Sequence, residues 1–86
     1  MLRISKLTDY AILVMVELCS RPGEVLSAQA LAERCGLELP TVSKVLKTLS
    51  RSGLVSSQRG ASGGYLTEAA ADGISVADVI RAMEGP

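Results

Sequence analysis

Ser5-Lys6 and Ser43-Lys44 each set a hydroxyl beside an amine, the pair that a Ser–Lys nucleophile would use. Neighbouring residues on a helix point in different directions, so neither pair can pass a proton across a hydrogen bond. The chain contains no histidine, which removes the commonest general base, the Ser-His-Asp arrangements and most zinc sites. Cys19 and Cys35 lack CxxC spacing and any further soft ligand, so they define neither a structural zinc site nor a disulfide framework. Two reduced, buried thiols are expected instead. The run Arg59-Gly60-Ala61-Ser62-Gly63-Gly64 is glycine-rich but is not a nucleotide loop, because it has no GK[ST] and no strand-to-helix context. What stands out is charge: Leu39 to Thr67 holds Lys44, Lys47, Arg51 and Arg59 and no acid at all. That points to a binding surface for an anionic partner and away from an enzyme or a small-molecule substrate.

Those cations need an element to aim them. At about 100° per residue, Val42, Val45, Leu46 and Leu49 gather on one side of a helix over 39–52. Pro40, Lys44, Lys47 and Arg51 lie nearly opposite, flanked by Thr41, Ser43 and Thr48. An apolar side that anchors and an outer side of donors is what a recognition helix in a DNA major groove requires. Outer Lys and Arg can also simply keep a helix soluble, and the absence of acids through the segment that follows favours binding.

Ser27 suits the N-cap of a preceding helix over 28–35, and Gly36 suits the turn between the two. Ala32, Gly36, Val42 and Val45 fall at the offsets of a helix-turn-helix: close approach, positive φ, and two plugs into the core. Leu54 to Gln58 and Tyr65 to Thr67 read as two strands around the glycine-rich tip. Arg59 at that tip could enter a narrow A/T-rich minor groove. Gly60, Gly63 and Gly64 either let the backbone approach phosphates or serve only the turn. A first helix over about 8–20 ends at Arg21-Pro22-Gly23, and Ile74, Val76, Val79, Ile80 and Met83 mark a fourth over about 75–84. Val25-Leu26 could form a very short strand. This order gives one domain over 1–86, mainly α with a small β-hairpin: a winged helix-turn-helix, with the helix-turn-helix at about 27–52 and the wing at about 54–67.

Composition fits one aliphatic core, at 48% hydrophobic but only 2% aromatic over 86 residues. Net charge is zero, yet residues 1–60 carry eight Lys or Arg against five Asp or Glu, and residues 61–86 carry one against four. The first helix is apolar on every face, which expects cover from a second subunit, from a further segment or from the rest of the fold. The longest apolar run, Tyr10 to Val16, is far short of the roughly 20 residues that cross a bilayer, and no signal-peptide layout precedes it. A cytoplasmic protein with no membrane contact is expected.

The chain resembles the bacterial iron-sulfur-responsive winged-helix repressors, which include regulators of the Isc and Suf cluster-assembly operons and nitric-oxide-sensing relatives. The resemblance runs through Ser5-Lys6-Leu7-Thr8-Asp9-Tyr10-Ala11, Leu31-Ala32-Glu33-Arg34 with Gly36, and Pro40-Thr41-Val42-Ser43-Lys44-Val45-Leu46. It continues through Gly53-Leu54-Val55, Arg59 to Tyr65, Ile74 to Ile80 and Glu84-Gly85-Pro86, and is strongest to the Suf-system branch. It implies a homodimer on double-stranded DNA carrying an inverted-repeat operator. Pro40, Thr41, Ser43 and Lys44 would then read or flank bases, Arg59 and Gly60 would form the wing contact, and Ser5, Lys6 and Tyr10 would meet phosphate. Ser27 joins the DNA-binding candidates, and helical geometry alone adds Lys47 and Arg51 as backbone contacts.

In this family three cysteines in a loop after the fourth helix hold the iron-sulfur cluster, and a long helix beyond them forms the dimer. Both lie past Pro86, so a cluster is expected for a longer form and none for this chain alone. Cys19 and Cys35 match no ligand position. Asp9 matches an acidic residue that completes the cluster from the partner subunit in some nitric-oxide sensors, and it also suits a first-turn acid on a helix dipole. Sensing of nitric oxide, iron or a sulfur metabolite is the alternative within the family, and a winged-helix protein-interaction module the alternative outside it.

Overall fold

Ser5 caps the first helix: its hydroxyl accepts the amide of Thr8 at the start of α1, Lys6–Cys19. The computed structural model describes residues 5–68 and 73–85. Helix α1 starts two residues before the start expected from apolar periodicity, because the cap precedes the first residue that touches the core. Ser20, expected as its last residue, is instead its C-cap.

Helix α2, Ala28–Cys35, is capped by Ser27, whose hydroxyl accepts the Ala30 amide at 3.0 Å. Gly36 ends it at φ 68°, ψ 33°, a left-handed conformation that costs a side-chain-bearing residue about 1–2 kcal/mol. This turn lets the Leu37 amide reach the Ala32 carbonyl at 2.9 Å and sends the chain into α3, Leu39–Ser52, with Pro40 in its first turn. Val42, Val45, Leu46 and Leu49 are fully buried, packed with Ala11, Val14 and Leu18 of α1 and Leu31 and Ala32 of α2. The four helix-turn-helix offsets therefore meet the core as expected, with Ala32 buried and Gly36 left-handed.

Strand β1, Ser56–Gln58, pairs antiparallel with β2, Gly64–Leu66, setting Ser57 opposite Tyr65. The expected first strand began at Leu54. In the fold the Leu54 amide closes α3 on the Leu49 carbonyl and Val55 turns into the core, so the ladder starts two residues later. Val25-Leu26 contributes a single bridge: Leu26 and Tyr65 exchange two backbone hydrogen bonds, both 2.8 Å. Gly64 makes that approach possible, since a Cβ there would lie 2.4 Å from the Leu26 carbonyl oxygen.

Helix α4, Val76–Glu84, opens with a reciprocal capping box between Ser75 and Asp78 and packs Val79 against α1 and α3. Three helices, a hairpin and a fourth helix make the winged helix-turn-helix. No helix among the described residues is long and apolar enough to cross a membrane.

Candidate nucleic-acid interface

The outer side of α3 carries the expected stripe. Pro40, Lys44, Lys47 and Arg51 are exposed, while Thr41 and Ser43 are half-buried at the margin between stripe and core. Thr48 returns its hydroxyl to the Lys44 carbonyl at 3.3 Å and so is turned along its own helix. Arg59 and Gly60 are exposed at the tip of the wing, Gly60 at φ 111°.

Charge pairing separates the basic residues into two sets. Among the described residues, Arg21 pairs with Glu17 and Glu24, Arg34 with Glu17, and Arg81 with Asp78. Lys6, Lys44, Lys47, Arg51 and Arg59 pair with no described carboxylate. The unpaired set includes every Lys and Arg of α3 and the wing, so their field is not cancelled locally.

The remaining expected contacts sit apart from that stripe. Ser27 is exposed as the cap of α2, and its hydroxyl proton is still available while its oxygen accepts from Ala30. Lys6 is exposed and Tyr10 half-buried, one turn apart on α1. Ser5 is exposed and engaged within the fold: its hydroxyl donates to Glu84 Oε2 at 2.8 Å, and its amide reaches the same oxygen at 3.4 Å. The buried Thr8 also donates to Glu84 Oε2. These hydrogen bonds, first from Thr8 and then from Ser5, hold the Glu84 carboxyl below the ordinary glutamate range. Sequence reasoning missed this clasp because its partners lie at opposite ends of the chain, and only the packing of α1 on α4 joins them.

The cysteines offer no metal chemistry here. Cys19 is buried on α1, and Cys35 at the end of α2 turns its thiol toward the Leu13 carbonyl. Burial pushes both thiols up, aided at Cys35 by Glu17, so they stay protonated and poor as ligands. Asp9 is exposed in the first turn of α1. No group of three or more His, Cys, Asp or Glu able to hold a metal exists among the described residues. The described residues therefore offer no ligand set of their own for an iron-sulfur cluster.

Comparison with known proteins agrees with this geometry. The Rrf2 family model, described as an iron-dependent transcriptional regulator, matches residues 4–86. The HTH-type transcriptional regulator CymR of Bacillus subtilis is 35% identical over 86 residues, which are 99% of this chain and 62% of that protein. The HTH-type transcriptional regulator IscR of Erwinia tasmaniensis is 36% identical over 85 residues, 96% of this chain and 51% of that protein. Among solved structures, CymR, the global cysteine regulator of B. subtilis, superposes with a TM-score of 0.89 at 36% identity, covering 100% of this chain and 67% of its own. IscR of T. potens gives 0.85 at 36% identity, covering 98% and 62%. The chain spans 51% to 62% of the length of these two curated relatives.

Proposed function

Since the chain belongs to the Rrf2 family of transcriptional regulators, which are not enzymes, we propose that its α3–wing face binds double-stranded DNA as the operator-reading part of a repressor. The observation that carries this reading is that every Lys and Arg of α3 and the wing is without a described carboxylate partner, while Arg21, Arg34 and Arg81 elsewhere are paired. Lys47 and Arg51 on α3, with Lys6, Tyr10 and Ser27, neutralise or hydrogen-bond backbone phosphates and supply affinity and register. Pro40, Thr41, Ser43 and Lys44, on the first turns of α3, meet base edges in the major groove and supply sequence choice. Arg59 and Gly60 extend the wing toward a neighbouring minor groove, where a guanidinium favours narrow A/T-rich stretches.

Two copies on an inverted repeat complete the reading. Leu13 and Val16 on α1 and Val76 on α4 are exposed, and an apolar groove of about 150 Å³ lies between these helices. That face supports a homodimer, whose linked half-sites raise affinity beyond one domain's. The protein acts in the bacterial cytoplasm, where operators are.

For the signal, we favour iron-sulfur status and assembly genes such as those of the Suf system, supported by the family's description as iron-dependent and by the likeness to IscR. A cluster, when bound, would supply the sensing chemistry from outside the described residues, with Asp9 the one residue here matched to it. Control of cysteine metabolism is the second reading, favoured by the likeness to a global cysteine regulator.

Titration of the chain against a randomised duplex pool at about 50 and 200 mM salt, with sequencing of what is retained, tests the DNA reading. Enrichment of an inverted repeat with A/T-rich flanks is expected. No retained duplex at either salt would overturn it.

A further inference from the structure

Between the C-terminal half of α3 and the wing lies an open cleft of about 380 Å³ lined by Lys47, Ser50, Arg51, Ser57 and Tyr65. Ser57 and Tyr65 face each other across the β1–β2 ladder, so the hairpin register brings two hydroxyl-bearing residues together in the cleft that Lys47 and Arg51 of α3 also line. Neither Lys47 nor Arg51 is paired with a described carboxylate, and no carboxylate lines the cleft. The Ser57 and Tyr65 hydroxyls have no hydrogen-bond partner among the described residues. Ser50 Oγ is buried and also without one, an arrangement that folded proteins keep rare.

Two cations with neutral hydroxyl donors around an open recess is the donor set that suits a phosphate oxyanion. We propose that this cleft seats one phosphodiester of the bound duplex, with Lys47 and Arg51 supplying charge and Ser57 and Tyr65 supplying directed hydroxyl donors. This rests on the DNA-binding reading and adds Ser57 and Tyr65 to the contact set. The seat fixes the spacing between α3 and the wing along one strand, so that Arg59 and the start of α3 address their grooves in one register. Tyr65 is held for the task by its backbone pairing with Leu26 and by the half-buried packing of its ring against the core.

The test uses a duplex retained by the wild-type chain and a series in which one phosphate at a time is replaced by an uncharged methylphosphonate. Tyr65→Phe and Ser57→Ala remove only hydroxyls that nothing in the fold uses, so both variants should melt as the wild type does. Each should bind the unmodified duplex about tenfold more weakly with an unchanged salt slope, since a neutral donor is lost. At one substituted position the wild type should lose affinity while Tyr65→Phe loses little more, the signature of a shared contact. Equal affinity of the variants and the wild type for the duplex at every position would overturn the cleft and leave DNA binding standing; failure of the wild type to bind any duplex would instead remove the reading beneath it. Inorganic phosphate separates the other source of the chemistry: if it displaces no DNA yet perturbs the Tyr65 ring resonances, the cleft is a free-anion site and the proposal falls.

Discussion

On the α3–wing face Lys44, Lys47, Arg51 and Arg59 stand without a described carboxylate partner, whereas on the side formed by α1, α2 and α4 Arg21, Arg34 and Arg81 are tied to acids at 2.8–3.6 Å and Lys6 alone among the described cations there is not. The second face is also apolar where the first is polar, with Leu13, Val16 and Val76 exposed along it. One chain of zero net charge thus carries a surface that attracts polyanions and a surface suited to packing against protein. Net charge would have excluded the partner that charge placement indicates.

The largest effect should come from erasing the first face. Lys44→Ala, Lys47→Ala and Arg51→Ala together should lower the salt slope of duplex binding by about two units, one for each phosphate contact of Lys47 and Arg51, while each leaves folding stability within about 0.5 kcal/mol. Arg21→Ala with Arg34→Ala on the second face should leave affinity and slope alone and cost less than about 1 kcal/mol of stability per pair. Titrations of both variants across a salt series check this. Equal slopes would break the distinction between the two faces.

A structural change ranks next. Gly36→Ala forces a Cβ into φ 68° at the turn that sets α3 on α2, and should cost about 1–2 kcal/mol in chemical denaturation. Because nothing lies within 4 Å of the added Cβ, the strain is in the backbone alone, and DNA affinity measured on the folded fraction should hold. A loss of affinity with no loss of stability would mean that α3 is aimed by Gly36 itself and not by the core beneath it.

Single contacts sharpen the first face further. Lys47→Ala should weaken binding about equally on all sequences and lower the salt slope by about one unit, while Arg59→Ala should mainly relax the preference for A/T-rich flanks. Selection from a randomised pool with each variant separates the two outcomes.

What the sequence made legible follows physical range. The helix-turn-helix was readable because Ala32, Gly36, Val42 and Val45 act within a few turns, where spacing dictates geometry. The stripe of α3 was readable for the same reason. Helix α1 was misread by two residues because capping by Ser5 operates before the apolar pattern begins. The wing ladder was misread because Leu54 and Val55 have strand-like chemistry but are used to close α3 and fill the core. The α3–wing cleft and the Glu84 clasp were invisible, since each joins residues brought together only by tertiary packing. Tyr65 was read as a strand residue, and only its register opposite Ser57 brings it to the cations of α3.

The smallest effect belongs to the clasp on the second face. Glu84 accepts from Ser5 and Thr8, so its carboxyl is held below its ordinary range, and the charged form is favoured by the folded state. A group depressed in this way adds stability that is fully present above its unfolded value and is lost as pH falls through the folded one. Asp78 is depressed with the same sign, chiefly by its hydrogen bonds from Ser75, so the wild-type melting temperature should decline below about pH 5 through both groups. Glu84→Gln should melt lower than wild type at pH 7 and lose part of that acid decline, and Asp78→Asn should remove another part. If α1 is steadied for phosphate contact by this clasp, Glu84→Gln should also weaken duplex binding slightly at neutral pH. If the carboxylate instead repels the duplex from Lys6 and Tyr10, the same substitution should strengthen it, and the sign of that change decides whether the second face supports the first or restrains it.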